Sequence, residues 1–356
     1  MRRLDKVVRD PDVRHNPLYG PAPDDHCPCG SRRQTKRCHR ATDHTWVAER
    51  PPALITGPRS GYANPRCYAR VSNDCDDQLT LEHWISDDLL ERISADKKVV
   101  AVQGASWQAS SEKKTVGIKG VSTRMLCERH NKALSPLDSV AAEFFAHLRD
   151  DLVDMTWHQG VVDFARGFTM VNGPHLELWL LKALWGAIEA KALVVNGHRA
   201  YRFRLGVTND VLAEILWRGA EWPKQWGMYV LLDRDHDVPV IPNSVRVRLA
   251  SMGSEVLGGF FEIGGFEFLI SFELPPVRRI YRPAALTFQR TGFRSCYKMA
   301  AFAWPETGHE MVNVWSQRGP NESVRVPPNA RAGSLAEQTF PGSFNITSGA
   351  ERNAEP

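Results

Sequence analysis

Six of the seven cysteines stand before Asn131, at positions 27, 29, 38, 67, 75 and 127, and Cys296 is alone in the rest of the chain. Histidines accompany both groups. Clustered thiols beside imidazoles in a chain of 356 residues point to metal ligation, because disulfide frameworks belong mainly to short secreted chains. No apolar run is long enough to span a bilayer, and the mixed-charge start "MRRLDKVVRDPD" has no apolar core behind it. The expectation is a reducing, cytoplasmic setting with no membrane partner. A formal net charge of +4 selects no partner by itself.

The stretch "CPCGSRRQTKRCH" brings Cys27, Cys29, Cys38 and His39 onto one short glycine-containing loop. Four soft or borderline donors of this kind suit tetrahedral zinc, which needs little supporting core. The pattern resembles the SEC-C motif, the zinc module at the C-terminus of the bacterial translocation ATPase SecA. Cys-X-Cys-Gly-Ser, the basic stretch and the final Cys-His all match. The resemblance implies structural zinc and a docking role toward protein or nucleic acid. Arg32, Arg33, Lys36 and Arg37 make the loop cationic, suited either to phosphates or simply to water.

A second set of candidates is split between distant segments. "CYARVSNDCDDQLTLEHWI" holds Cys67, Cys75, Glu82 and His83, and "LCERHN" holds Cys127, His130 and Asn131. Cys67, Cys75, Cys127 and His130 can form a closed zinc site that staples the two segments. Glu82 and Asn131 would then be drawn together as hard oxygen donors suited to Mg²⁺ or a similar ion. His83 points to the other strand face and is free to act as a base.

This arrangement resembles the zinc-stapled branch of the HNH (ββα-metal) endonucleases. The resemblance implies a general base at His83 and ligands of a catalytic divalent ion at Glu82 and Asn131, acting on a phosphodiester. More broadly, "EHWIS", "LCERHN" and "LSPLD" are similar to a group of bacterial HNH-type proteins that carry "EHYIS" and "LCERHNSALSPLD" in the same order. The similarity continues into "LELWLLKAL". The chain departs from the HNH pattern in spacing the first zinc pair as Cys-X7-Cys and in using His130 for a cysteine. It also has no clear counterpart of the asparagine that orients the catalytic histidine, although Ser122 stands near that register.

The expected fold class is α+β. Its parts are a charged arm (1–25), a SEC-C-like knuckle (26–42), a Pro/Gly-rich linker (43–65), an HNH-like module (66–138), an α+β accessory domain (139–314) and a disordered tail (315–356). Ser135 and Pro136 read as the N-cap and first position of a helix whose apolar face runs from Leu137 to Leu148. "PHLELWLLKALWGAIEAKAL" reads as a buried helix, "VRVRL" as a strand, and "FFEIGGFEFLISF" as a hairpin turning at Gly264 and Gly265. The long segment between His83 and Asn131 is expected to add a further hairpin. Arg278, Arg279, Arg282, Arg290, Arg294 and Lys298, interleaved with aromatics, form a second candidate nucleic-acid surface. The competing reading is a pair of strands with the aromatics inward.

The function expected from these features is a metal-dependent endonuclease acting on nucleic acid, most naturally DNA, with two structural Zn²⁺ sites and Mg²⁺ at the catalytic site. Defence against foreign DNA is one setting, and a homodimer is natural if both strands are cut. The alternative is a non-catalytic, zinc-stabilised scaffold that binds nucleic acid or protein.

Overall fold

The apolar run around Trp179 and Trp185 forms the central helix of the molecule, buried on every side from Gly173 to Ile188. The computed structural model describes residues 2–10, 20–94, 96–103, 105–106, 108, 113–157, 167–195, 198–199, 204–231, 244–252, 255–263, 266–275, 280–290, 296–307, 309–316 and 344–347. The first half of the chain forms β1 (Val8–Asp10), β2 (Leu79–His83), α1 (Asp87–Ile93), β3 (Val99–Gln103), β4 (Lys113–Gly117), β5 (Ser122–Cys127), α2 (Glu128–Trp157), β6 (Gly167–Asn172) and α3 (Gly173–Glu189). There follow β7 (Val194–Val195), β8 (His198–Arg199), β9 (Arg204–Leu205), α4 (Asn209–Arg218), β10 (Gly227–Leu231), β11 (Ser244–Met252), β12 (Glu255–Ile263) and β13 (Phe266–Ser271). The last elements are β14 (Ile280–Tyr281), β15 (Pro283–Arg290), β16 (Cys296–Ala303), β17 (Glu310–Ser316) and β18 (Phe344–Thr347).

The fold is mixed α+β. A five-stranded sheet has the order β1-β6-β16-β15-β17, and a nine-stranded sheet runs β14-β10-β13-β12-β11-β18-β3-β4 with β9 beside β12. Helix α3 touches β6 of the first sheet and β10, β12 and β13 of the second, so this helix is packed between the sheets. Strand β16 shows the two-residue period of a sheet covered on both faces. Its Ala300 and Phe302 join the helical core, while Met299, Ala301 and Ala303 pack with Leu4, Trp46 and Phe168 on the other side. Trp46, in the segment expected as a linker, is therefore a core residue at 1% exposure.

Helix α2 begins earlier than Ser135 and Pro136 suggest. It starts at Glu128, directly after Cys127, and carries Pro136 inside it. The side chain of Asp76 supplies the missing cap: its two oxygens accept from the backbone N–H of Glu128 (3.1 Å) and Arg129 (2.8 Å). A carboxylate at a helix start satisfies orphan donors and complements the helix dipole. Pro136 removes one internal hydrogen bond, but Leu134, Leu137, Val140, Ala141, Phe144, Phe145 and Leu148 bury the expected face regardless.

Strands β3 and β4 form the additional hairpin, and β12 and β13 form the other, paired up to Ile263 and Phe266. Gly264 and Gly265 lie outside the described residues. Within the stretch expected to lack structure, β17 extends to Ser316, and β18 pairs with both β11 and β3. Positions 317–343 and 348–356 lie outside the described residues. Among the described residues no helix is long and apolar enough to cross a membrane.

Candidate metal centres and the ββα site

Two clusters each gather four Cys/His donors within 4.8 Å of one another: Cys27, Cys29, Cys38 and His39, and Cys67, Cys75, Cys127 and His130. A tetrahedral zinc with Zn–S bonds of about 2.3 Å places its sulfurs about 3.8 Å apart, and sulfur–nitrogen edges are slightly shorter. The first cluster shows Cys29 Sγ to Cys38 Sγ at 3.5 Å, and Cys27 Sγ and Cys38 Sγ each 3.3 Å from His39 Nδ1. In the second, His130 Nδ1 lies 3.0 Å from Cys127 Sγ and 3.8 Å from Cys67 Sγ. Both clusters are compatible with zinc.

The second cluster is buried throughout and braced from several elements. With Nδ1 turned to the sulfurs, His130 Nε2 faces Ser72 Oγ at 3.1 Å, and that hydroxyl donates to Ala69 O at 2.8 Å. This leaves the Ser72 oxygen to accept from the imidazole N–H, fixing ring orientation and tautomer. Trp217 of α4 donates to His130 O at 3.1 Å. Asp74, beside Cys75, is buried and bridges Arg129 and Arg218. Crowding of the three sulfurs shifts them against one another, lowering the Cys75 and Cys127 thiols and raising that of Cys67.

Strand β2 pairs antiparallel with β5, with Glu82 opposite Thr123 and His83 opposite Ser122, and β5 runs into α2. The result is a ββα unit with the second cluster at its join. Asn131 points back to β2, and its Nδ2 donates to Thr80 Oγ1 (2.9 Å) and Leu81 O (2.8 Å). Glu82 is not among its partners.

Glu82 is instead met by Lys182 of α3. Lys182 Nζ stands 2.8 Å from Glu82 Oε1 and 2.9 Å from Asp138 Oδ1, and donates to the carbonyl of His83 at 2.5 Å. Trp179, one turn earlier on α3, donates to Asp138 Oδ1 at 3.1 Å. Close helix–strand approach makes this possible: a Cβ on Gly186 would lie 2.8 Å from Trp84 Cβ, just beyond the end of β2. Burial disfavours charge on Lys182, but Asp138 and Glu82 outweigh it and raise its pKa above the usual lysine range. Burial pushes the Glu82 carboxyl up to about 7, with Lys182 pulling in the opposite direction.

A divalent ion on Glu82 and Asn131 does not fit this arrangement. The carboxylate is buried and already neutralised by an ammonium, and a second cation beside Lys182 would meet strong repulsion in a low-dielectric interior. At His83 burial lowers the pKa and Asp87 opposes this, and its Nε2 has no hydrogen-bond partner among the described residues.

The remaining candidates divide sharply. Arg32, Arg33, Lys36 and Arg37 are exposed on the first cluster's loop, and Lys36 pairs with Asp24. Lys298 is buried against Asp151 at 3.0 Å, and Arg282 pairs with Glu177 at 2.9 Å, so both serve internal carboxylates. Arg290 lies on β15, and Arg278, Arg279 and Arg294 lie outside the described residues. Further exposed cations stand along the segment that runs from just before β3 to β5. Lys97, Lys98, Lys114, Lys119 and Arg124 are all exposed there, with no acidic partner among the described residues. Their sequence signal is plain: from Lys97 to Cys127 there are six basic residues and one acid, Glu112.

No family model, curated protein or solved structure matches this chain.

Proposed function

We propose that this chain is a nucleic-acid-binding protein built on a zinc-stapled, HNH-like ββα module that does not cut its target. The observation carrying this reading is Lys182, whose ammonium stands against Glu82 and Asp138 where the HNH resemblance calls for a divalent ion. The lysine supplies the positive charge that holds the site together and excludes the ion that would activate it. Both zinc ions are structural, since four protein donors leave no open coordination position. The first cluster is read as a SEC-C-like knuckle.

Binding is assigned to the exposed cations beside β5, namely Lys97, Lys98, Lys119 and Arg124, with Arg32, Arg33 and Arg37 of the knuckle as a second contact. Such groups neutralise phosphates and release counterions, giving affinity that falls steeply with salt and carries little sequence preference. Duplex DNA is the first target to test.

A second reading, a metal-dependent HNH endonuclease, is favoured by His83. It adjoins Glu82 at the end of β2 and is held in the neutral form that a general base requires. Incubating the zinc-loaded protein with plasmid and Mg²⁺ or Mn²⁺ separates the two. Retarded but uncut plasmid supports the binding reading. Cleavage that disappears in His83→Ala establishes the nuclease.

A further inference from the structure

A cavity of ≈ 340 Å³ opens between the segment Arg50–Leu54, the loop after α4 and the end of β16. Trp222, Trp226, Tyr229 and Trp304 line it, together with Glu177, Arg282 and His309. None of these residues belongs to the metal clusters or to the ββα site.

The polar part of this cavity is built with care. Glu177 is buried, and its Oε1 accepts from Met228 N at 2.8 Å and pairs with Arg282 Nη2 at 2.9 Å. Arg282 Nη1 donates to Trp226 O at 3.0 Å, and the guanidinium carbon lies 4.6 Å from the Trp304 ring centroid. Gly227, at φ +128°, makes room for the pair, since a Cβ there would fall 2.3 Å from both Arg282 Nη1 and Glu177 Oε1. The guanidinium is thus fixed by a carboxylate, a carbonyl and an indole, yet its side chain remains 27% exposed. Arginine has five N–H donors, and these contacts leave some of them for a ligand. His309 packs on Trp304 at 5.0 Å, and its Nε2 is buried without a hydrogen-bond partner among the described residues. At the mouth, Lys224 is exposed and Trp222 is only partly covered.

We infer that this cavity binds a small molecule with a flat aromatic ring and an anionic group, of the size of a nucleoside monophosphate. The volume lies in the range of small-molecule sites, about 300–1,000 Å³. Aromatic walls accept a flat ring by stacking, with little preference for its identity. Among the charged groups lining the cavity, Arg50, Lys224 and Arg282 outnumber Glu177 and Glu306, a balance that favours an anion. A cationic ligand is disfavoured, because Arg282 already holds the place between carboxylate and indole that it would need. The inference goes beyond the nucleic-acid reading and uses none of its residues.

The test is calorimetric titration of the full zinc-loaded chain with AMP, GMP, CMP and UMP, with adenosine and inorganic phosphate as separate arms. At least one monophosphate is expected to bind with a sub-millimolar Kd, and adenosine and phosphate each at least roughly tenfold more weakly. Arg282→Met and Trp222→Ala are both expected to weaken binding at least roughly fivefold. Trp222 lies at the partly exposed mouth, so its variant decides the matter if loss of Arg282 unfolds the chain. Duplex DNA binding should be unchanged in Trp222→Ala. Absence of saturable binding by all four monophosphates overturns the inference, as does binding that Trp222→Ala leaves intact.

Discussion

Lys182 and Glu82 face each other at 2.8 Å with side chains only 1% and 3% exposed, which makes them a buried ion pair between the central helix and the ββα unit. Removing one member strands a charge in the interior and costs about 3–5 kcal/mol, more than the pair itself contributes. Lys182→Met is therefore expected to destabilise the chain by up to about that amount in urea unfolding, because it removes the ammonium that Glu82 and Asp138 share. Lys182→Met combined with Glu82→Leu should be less destabilised than the sum of the single changes. Simple additivity would mean that the two side chains are not coupled.

Asn131 makes its contacts within the fold. Its amide ties α2 to β2 through Thr80 and Leu81, and a part-buried pair of hydrogen bonds of this kind contributes about 1–2 kcal/mol. Asn131→Ala should lower thermal stability accordingly while zinc content and DNA affinity stay at wild-type levels. A loss of affinity at unchanged stability would place Asn131 at the binding surface instead.

Metal analysis should find about two zinc ions per chain. Cys127→Ser should lose one ion and the cooperative fold together, because Cys127 joins segments far apart in the chain at a fully buried site. Cys29→Ser should lose the other ion while far-UV circular dichroism is largely retained, since its cluster lies outside the helical core. Equal unfolding in both variants would contradict this division.

Acid sensitivity should have a contribution from His175, in the first turn of α3. Burial lowers its pKa to about 4 from an ordinary 6.5, with Asp5 opposing and Arg3 reinforcing the shift. The unfolded chain thus takes up this proton near pH 6.5 and the folded chain only near pH 4. The stability that His175 contributes through this linkage is present above pH 6.5 and is lost as pH falls from there to about 4. Melting temperature should accordingly fall less steeply across this window in His175→Gln than in the wild type. Parallel curves would mean that His175 takes up its proton at the same pH in the folded and unfolded chains.

The metal clusters were legible in the sequence because ligand chemistry restricts which residues can converge. Cys67 and Cys75 could be matched with Cys127 and His130 across a long gap on donor type alone. The burial of α3 was legible too, from an apolar run with no polar face. Its one internal cation was the overlooked signal: Lys182 in such a helix requires carboxylates, and Glu82 and Asp138 supply them. Which carboxylates they are depends on how α3 crosses β2, and helix periodicity carries no information about that. The start of α2 was obscured for a similar reason, since its cap, Asp76, comes from another segment. The sequence leaves Arg282 and Lys298 open between a cationic surface and strand positions facing water, because their partners, Glu177 and Asp151, lie more than a hundred residues earlier.

The central claim is tested most directly by fluorescence anisotropy of a labelled DNA duplex, titrated with zinc-loaded protein in Mg²⁺ and then run on a denaturing gel. The account predicts an affinity whose logarithm falls linearly with the logarithm of salt concentration. Lys119→Ala with Arg124→Ala should weaken that affinity, and the strands recovered afterwards should be intact. Mg²⁺-dependent cleavage that is abolished by both Glu82→Gln and His83→Ala would contradict it, because Lys182 would then have to leave Glu82 for a catalytic ion to enter.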